Sequence, residues 1–424
     1  KLTLVVDSNT FKTNDPLQYE LVSTNTSTNG EVIPTISKTD ITGTSIELGK
    51  GHFVKANNAK HTYLLKIYYP KKVTSQNANQ GASFSAHVEI ASAKAPTVST
   101  LAQTILAKNE VKAPITTPGA AISTADEALL ASTEDDNGTS YYFRGAVKNN
   151  YVEFANKCWR IVRVGGDGSV KLILHNDNTT GAANPCDSAY NSTSAAFARY
   201  SSETYKSAFN TNYNDNAYVG FKYGTPGSSK YEATHANTNN STILTNLETW
   251  YTNNLKTYAD AIADTVWCND KTATDKSYDP WGWNPNGLGY GTNTTFYGAT
   301  QRLVGTSGSA GGTGPSLKCN GELSKINSKV GLITADELAY AGYAYNIGNT
   351  TTYLQENATD TYWWSLSPLF FDYGGALVWY VSGSDGSFVR GSVYYIYGVR
   401  PSISLKSTTN VTGNGTSDKP YKVV

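Results

Sequence analysis

Short runs of alternating apolar and polar residues recur along this whole chain, and they constrain its fold more than any other feature. Only one long stretch has helical spacing, with apolar residues every three or four positions between Ser241 and Asp264. Shorter helices are predicted at Thr100–Lys108 and after Thr334, where Thr334-Ala-Asp-Glu337 forms a capping box. The pattern therefore predicts an α+β fold with few helices, β-hairpins and long loops.

Composition divides the chain into three parts. Residues 1–93 hold several short strand patterns between turn-forming residues, which predicts an Ig-like β-sandwich. Residues 94–137 are rich in Ala, Thr, Ser and Pro, and we expect a linker that contains the first short helix. Residues 138–424 form the third part, in which Cys158–Val164 and Val170–Leu174 flank a Gly-Asp-Gly turn and predict a hairpin.

The cysteine pattern predicts the compartment. The four cysteines are Cys158, Cys186, Cys268 and Cys319, widely spaced and without a CxxC pair, which favours two disulfides in an oxidising environment. We favour Cys158–Cys186 and Cys268–Cys319, because each pair closes the shorter available loop; four free buried thiols are the alternative. No apolar stretch is long enough to span a bilayer, and Lys1 leads directly into an alternating strand pattern without an initiator Met. We therefore expect a processed or trimmed ectodomain that is extracellular or at the cell surface and reaches a membrane, if at all, only through a missing anchor.

The charge pattern argues against several classes of function. Charged residues make up 16% of the chain and the formal net charge is zero, so no footprint for nucleic acid is visible. The five histidines are scattered without metal-ligand spacing, and no nucleophile or phosphate-binding motif stands in its required context. We therefore expect no enzyme and no cofactor. Calcium at Asp270, Asp275 and Asp279 stays possible, as does a carboxylate pair that is distant in sequence.

The most informative segment runs from Trp363 to Arg400 and is rich in aromatic residues. Ala376–Val381 is predicted to be a strand, Gly383–Gly386 its turn and Ser387–Val389 the returning strand. Alternation cannot bury every ring of Tyr394-Tyr-Ile-Tyr, so some rings are expected to face solvent. The alternative is a half-buried hairpin whose aromatic residues belong to the core.

Several motifs of the third part are informative together: Tyr142-Phe-Arg-Gly, Cys158-Trp-Arg-Ile-Val-Arg, Gly331-Leu-Ile-Thr-Ala-Asp-Glu, Trp363-Trp-Ser-Leu-Ser-Pro, the glycine-containing hairpin and Gly398-Val-Arg-Pro-Ser-Ile-Ser-Leu. In these residues the third part resembles the C-type-lectin-fold variable proteins of gut-bacterial surfaces, which are targets of diversity-generating retroelements and share their fold with formylglycine-generating enzymes. The resemblance covers about Gly138 to the end. The first part resembles camelysin-type β-sandwiches in its strand pattern and in Gln80-Gly-x-x-Phe84.

The resemblance implies which residues vary. Retroelement mutagenesis alters adenines, and Lys, Glu, Gln, Met and Trp cannot arise from Asn codons in that way. Between Thr361 and Pro401 the chain has no Lys, Glu, Gln, Met or Asn. On this basis the scaffold residues are Trp363, Trp364 and Trp379, and the candidates for a varied ligand-binding face are Phe370, Phe371, Asp372, Tyr373, Ser384, Phe388, Arg390, Ser392, Tyr394, Tyr395 and Tyr397. The oxidase activity of the fold needs a close cysteine pair late in the chain, and no cysteine follows Cys319.

These expectations combine into one functional hypothesis. The chain is expected to be a secreted or surface-displayed receptor or adhesin that binds an unknown protein or glycan through an aromatic face at residues 368–397. A structural subunit of a bacterial surface fibre, with self-assembly through the N-terminal domain, is the alternative. A hydrolase that acts on glycans is a further alternative.

Overall fold

The computed structural model describes residues 1–25, 30–52, 60–72, 75–91, 99–121, 126–201 and 204–424. The chain forms two compact units, Lys1–Val98 and Ser99–Val424. Both are rich in β-structure, and the described residues include five α-helices. None of these helices combines the length and the apolar character that a membrane span requires.

The first unit consists of two antiparallel three-stranded sheets. Its described strands are β1 (Leu2–Asn9), β2 (Gln18–Ser23), β3 (Ile36–Asp40), β4 (Ser45–Gly49), β5 (Tyr63–Tyr68) and β6 (Phe84–Ile90). One sheet has the order β4-β1-β6 and the other β3-β2-β5. Leu4 and Leu48 from the first sheet share one core with Tyr19 and Leu21 from the second. The alternation seen in the sequence therefore buries one face of each sheet.

The second unit contains all five described helices. They are α1 (Leu101–Lys108), α2 (Tyr231–His235), α3 (Thr242–Asn254), α4 (Gly298–Leu303) and α5 (Ala335–Ala341). The predicted N-caps are confirmed: the Ser241 hydroxyl accepts from the Leu244 amide, and Thr334 and Glu337 form a reciprocal capping box. The prediction that one helix extends to Asp264 is wrong. Leu255 leaves the helical conformation at φ −125°, and a 3₁₀ turn follows, which directs Ile262 into the core.

Two large sheets carry the second unit. Its described strands are β7 (Ala128–Asp135), β8 (Gly138–Gly145), β9 (Tyr151–Phe154), β10 (Lys157–Val164), β11 (Val170–Asn176), β12 (Lys206–Ser207), β13 (Lys222–Tyr223), β14 (Asn239–Asn240), β15 (Thr265–Cys268), β16 (Thr295–Phe296), β17 (Lys325–Ser328), β18 (Trp363–Asp372), β19 (Gly375–Val381), β20 (Phe388–Ser392), β21 (Tyr397–Gly398), β22 (Ser402–Leu405), β23 (Val411–Thr412) and β24 (Tyr421–Val423). One sheet has eight strands in the order β22-β11-β10-β9-β24-β23, with β8 on β10 and β7 on β8. The predicted hairpin of β10 and β11 is confirmed.

The stretch expected to be a linker differs from that expectation. Strand β7 lies inside it and pairs with β8 along its whole length, from Ala128↔Gly145 to Asp135↔Gly138. Helix α1 buries Leu101 and Ile105 in the core of the second unit. The apolar residues of β7 are few and are followed by Ser, Thr and Glu. The composition of the stretch therefore suggested a linker and did not indicate the strand. The expected linker residues 94–98 and 122–125 lie outside the described residues.

Both predicted disulfides are confirmed. Cys158, at the start of β10, is bonded to Cys186, and Cys268, at the end of β15, is bonded to Cys319. The second disulfide joins the β15–β17 pair to the loop that precedes β17. Two disulfides are consistent with folding in an oxidising, extracellular type of environment.

Candidate functional site

The aromatic segment forms the centre of the second large sheet. Its strand order is β12-β21-β18-β19-β20, with β16 also paired to β18. The predicted hairpin of β19 and β20 is confirmed, with Trp379 opposite Arg390 and Tyr380 opposite Val389. Strand β18 has neighbours on both edges and is buried over nine of its ten residues. A central strand covered on both faces reads as a continuous apolar run rather than an alternating one.

The three tryptophans expected to form the scaffold are fully buried. Trp364 donates its indole N–H to the Ser207 carbonyl at 2.8 Å, and its ring lies 4.6 Å from the Tyr397 ring. Trp379 stacks on Phe388 with the ring centroids 4.5 Å apart. Trp363 lies beneath the Arg400 guanidinium, 4.9 Å from its ring centre. Trp364 therefore lies beneath Tyr380 and Tyr397, whereas Trp363 and Trp379 are on the opposite face of the sheet.

Four candidates for the ligand-binding face lie inside the fold, which corrects the prediction for them. Phe370, Phe371, Phe388 and Ser392 are all buried. Phe370 and Phe371 belong to the central strand β18, where Phe370 packs against Trp283 at 4.8 Å. Phe388 is held by Trp379, and Ser392 pairs with Leu377 on the same side of β19 and β20. These four residues belong to the hydrophobic core or its buried margin. For the three phenylalanines, the alternative given in the sequence analysis, that aromatic residues of this segment are core residues, is therefore the correct one.

A second group of aromatic residues lies at the surface and is continuous. Six tyrosine rings make successive contacts, and we call them the tyrosine surface: Tyr213, Tyr394, Tyr395, Tyr397, Tyr380 and Tyr362. The successive centroid distances are 4.8, 4.9, 5.7, 5.0 and 5.1 Å. Tyr394 and Tyr395 are 41% and 43% exposed, and their neighbour Ile396 is 59% exposed. These rings offer a large apolar area edged by hydroxyl groups.

Two glycines make room for these rings. A methyl group on Gly391 would lie 2.7 Å from Cδ1 of Tyr380 and 3.2 Å from Cε2 of Tyr397. A methyl group on Gly375, which has φ +114°, would lie 2.6 Å from Cδ2 of Tyr213. Any larger residue at either position would push a ring off the sheet. The glycines therefore fix how closely the tyrosine surface lies on its strands.

The hydroxyls of Tyr380, Tyr395 and Tyr397 are neutral at physiological pH. Partial burial raises the pKa of Tyr380 and of Tyr397 above the ordinary value for tyrosine. A hydrogen bond with Tyr394 raises the pKa of Tyr395. Each hydroxyl can therefore both donate and accept a hydrogen bond to a ligand.

An open depression of about 440 Å³ adjoins the tyrosine surface along the edge strand β20. It is lined by Tyr345, Asn346, Tyr362, Tyr380, Ser382, Ser384, Asp385, Ser387, Val389 and Arg390. Arg390 stacks over Trp281 and Trp283, 5.0 and 5.3 Å from their ring centres. Hydrogen bonds from Ser387 lower the pKa of Asp385 to about 2, so the carboxylate is ionised. The depression thus adds one cation and one anion to an otherwise uncharged surface.

The remaining candidates lie at the turn between β18 and β19. The Asp372 carboxylate accepts from the Gly374 amide at 2.7 Å, which closes the turn. Tyr373 stands at its tip and is 99% exposed. Tyr373 contacts no other aromatic ring among the described residues. It is connected to the tyrosine surface only along the chain, because Gly375, two residues later, lies against the Tyr213 ring.

The aspartates considered for calcium are not brought together. Asp270 pairs with Arg302 at 2.7 Å, while Asp275 and Asp279 accept backbone amides in their own turns. Within the described ranges, no three His, Cys, Asp or Glu side chains lie close enough to hold a metal ion. The structure therefore gives these aspartates partners within the protein.

Comparisons with known proteins return nothing for this chain. No family model, no curated protein and no solved structure matches it.

Sequence reasoning missed several residues of the tyrosine surface and several side chains around it and its depression. Tyr213, Trp281 and Trp283 come from loops whose position no local pattern could give. Tyr380 had a signal, since alternation places it on the face opposite Trp379. Tyr362 and Ile396 are sequence neighbours of predicted residues. Their place at this surface follows only from the pairing of β21 with β18.

Proposed function

We propose that this protein is a surface-displayed receptor or adhesin that binds its ligand through the tyrosine surface and the adjoining depression. The observation that carries the proposal is the chain of six contacting tyrosine rings, three of them more than 40% exposed, packed on the buried Trp364. Contiguous exposed aromatic area is uncommon on a protein without a binding partner. Tyrosine gives large contact area at low entropic cost, as in antibody paratopes.

The composition of this surface supports a diversified site. Residues 394–397 are Tyr, Tyr, Ile and Tyr, and Ser384 and Arg390 line the depression. All of these residue types arise from Asn codons by adenine mutagenesis, whereas the buried tryptophans do not. We therefore propose a C-type-lectin-like variable protein whose varied positions are the exposed or half-buried candidates alone: Asp372, Tyr373, Ser384, Arg390, Tyr394, Tyr395 and Tyr397.

A binding screen tests the proposal. Purified protein is screened against a glycan array and a displayed library of extracellular protein domains, in parallel with the variant Tyr394→Ser/Tyr395→Ser. Tyr190→Ser is the matched control, because Tyr190 is 41% exposed in the same unit and lies outside the tyrosine surface. We expect hits that the double variant loses and the control keeps. Hits that survive in the double variant would overturn the proposed surface.

A fibre subunit is a second candidate function, and the first unit supports it. Strands β5 and β6 end their sheets and expose apolar residues: Leu64 is 54%, Val88 44% and Ile90 77% exposed. Exposed apolar edge strands favour pairing with another chain. Light scattering and electron microscopy over a concentration series test this function; filaments support it, and monodisperse particles at every concentration contradict it.

A further inference from the structure

A charged cavity lies in the second unit and shares no lining residue with the tyrosine surface or its depression. Its volume is about 410 Å³, and its walls come from the β7–β8 turn, β10, β11, β15, the 316–319 loop and α5. Seven carboxylates and five cationic side chains line it, so the lining carries a net charge of −2. The Cys268–Cys319 disulfide is part of its wall.

The inner end of the charged cavity holds a buried lysine. Lys171 is 5% exposed, its ammonium lies 4.5 Å from the Trp267 ring centre, and it pairs with Glu337 at 2.7 Å. Burial lowers the pKa of Lys171, and Glu337 opposes that shift. Arg163, on β10, pairs with the same carboxylate oxygen at 3.0 Å and with Asp135 at 3.0 Å. Two cations and two carboxylates therefore meet at this end.

Groups of the protein itself already donate hydrogen bonds to both oxygens of each carboxylate, Glu337 and Asp135. One oxygen of Glu337 receives both Lys171 and Arg163, and the other receives the Thr334 amide at 2.9 Å. Asp135 receives Arg163 and the amides of residues 166 and 137.

The donors of the cations are not all used. An ammonium has three N–H groups and a guanidinium five. Among the described residues, the Lys171 ammonium finds one acceptor, and the Nη2 atom of Arg163 finds none. Both side chains line the charged cavity. The inner end therefore presents N–H donors to the charged cavity that no acceptor of the described protein engages.

The rim has the opposite character. Asp136 and Asp167 line the charged cavity and are exposed. Each uses one carboxylate oxygen, Asp136 for the Cys319 amide and Asp167 for Ser169. Within the described part of the chain, the second oxygen of each receives no hydrogen bond. The rim therefore offers carboxylate oxygens, with Lys318 and Lys325 also in its lining, whereas the inner end offers donors.

We propose that the charged cavity binds a small zwitterion of the α-amino acid class. The carboxylate of the ligand accepts hydrogen bonds from Lys171 and Arg163, and its ammonium faces the rim carboxylates. This arrangement places an acceptor against the inner donors and a cation against the rim carboxylates, and it suits the net negative lining better than a simple anion does. The site is independent of the tyrosine surface and does not rest on the proposed function.

Calorimetric titration of the purified protein tests this site with four probes at fixed ionic strength: alanine, lysine, acetate and methylammonium. We expect saturable binding of both amino acids at one site, each tighter than acetate or methylammonium. Lys171→Met should weaken that binding by about tenfold or more, because a charge-assisted hydrogen bond is lost. Lys157→Met is the matched control, since Lys157 is 8% exposed, pairs with Asp177 at 2.7 Å and does not line the charged cavity.

A spectroscopic readout keeps the test decisive if Lys171→Met does not fold. In the ¹⁵N-labelled wild-type protein, alanine should shift the side-chain resonances of Lys171 and Arg163. Absence of saturable amino acid binding would overturn the proposal. Unshifted side-chain resonances at saturation, or binding equally strong in a folded Lys171→Met variant, would overturn it as well.

Discussion

Two aromatic pairs in the same segment have opposite positions in the fold. Phe370 and Phe371 lie at 2% exposure in the central strand β18, whereas Tyr394 and Tyr395 lie in the loop after the edge strand β20 at 41% and 43%. Composition did not separate the pairs, because both are adjacent aromatic residues in a Lys-free stretch. The number of neighbouring strands did: β18 is paired along both edges, whereas the loop after β20 belongs to no strand.

The largest expected difference is in stability. Phe370→Ala removes a ring that contacts Trp281, Trp283 and Phe296, and should lower the free energy of unfolding by about 3–5 kcal/mol. Urea denaturation measures it, with Tyr190→Ala as the exposed control. A loss below about 1 kcal/mol would mean that the ring is not packed in the core.

A glycine beneath the tyrosine surface should give an intermediate effect. Gly391→Ala places a methyl group 2.7 Å from the Tyr380 ring, so the rings must move, and we expect a loss of about 1–3 kcal/mol in the free energy of unfolding. Ser384→Ala is the control, because it changes an exposed residue without backbone strain. A glycine such as Gly181 could not serve, because its positive φ would itself strain an alanine. Equal denaturation midpoints for Gly391→Ala and wild type would contradict the close packing of these rings.

Alkaline pH should act on the packed rings of the tyrosine surface. Because the pKa of Tyr397 is raised above the ordinary value of 10.0, its contribution to stability is fully present below pH 10 and is lost as pH rises above it. Urea midpoints between pH 8 and 11 should therefore fall, and Tyr397→Phe should fall less than wild type. An identical pH dependence in the two proteins would show that Tyr397 is not shielded.

We expect the smallest effect on stability from replacing Tyr394 or Tyr395, the same residues whose loss should weaken ligand binding most. Tyr394→Ser and Tyr395→Ser should each change the free energy of unfolding by no more than about 0.5 kcal/mol, as for surface positions in general. The same denaturation assay measures both. A loss of several kcal/mol would place these rings in the core and remove the basis of the proposed ligand surface.

Local chemistry could be predicted from the sequence, and long-range placement could not. The caps at Ser241 and Thr334, the hairpins and both disulfides follow from neighbouring residues or from loop length. The burial of Phe388 depends on Trp379 in the neighbouring strand and on the covering of β20 by Tyr345. The charged cavity was missed entirely, since Lys171 and Glu337 are far apart in sequence and the local patterns predicted only a strand and a helix cap for them.

Sequences of this gene from sibling isolates test the central claim most directly. If the exposed rings form a diversified ligand surface, substitutions should concentrate at 372, 373, 384, 390, 394, 395 and 397, while the buried positions 370, 371, 388 and 392 and the three scaffold tryptophans stay fixed. Substitutions spread evenly over the chain, or frequent at the buried positions, would contradict the account.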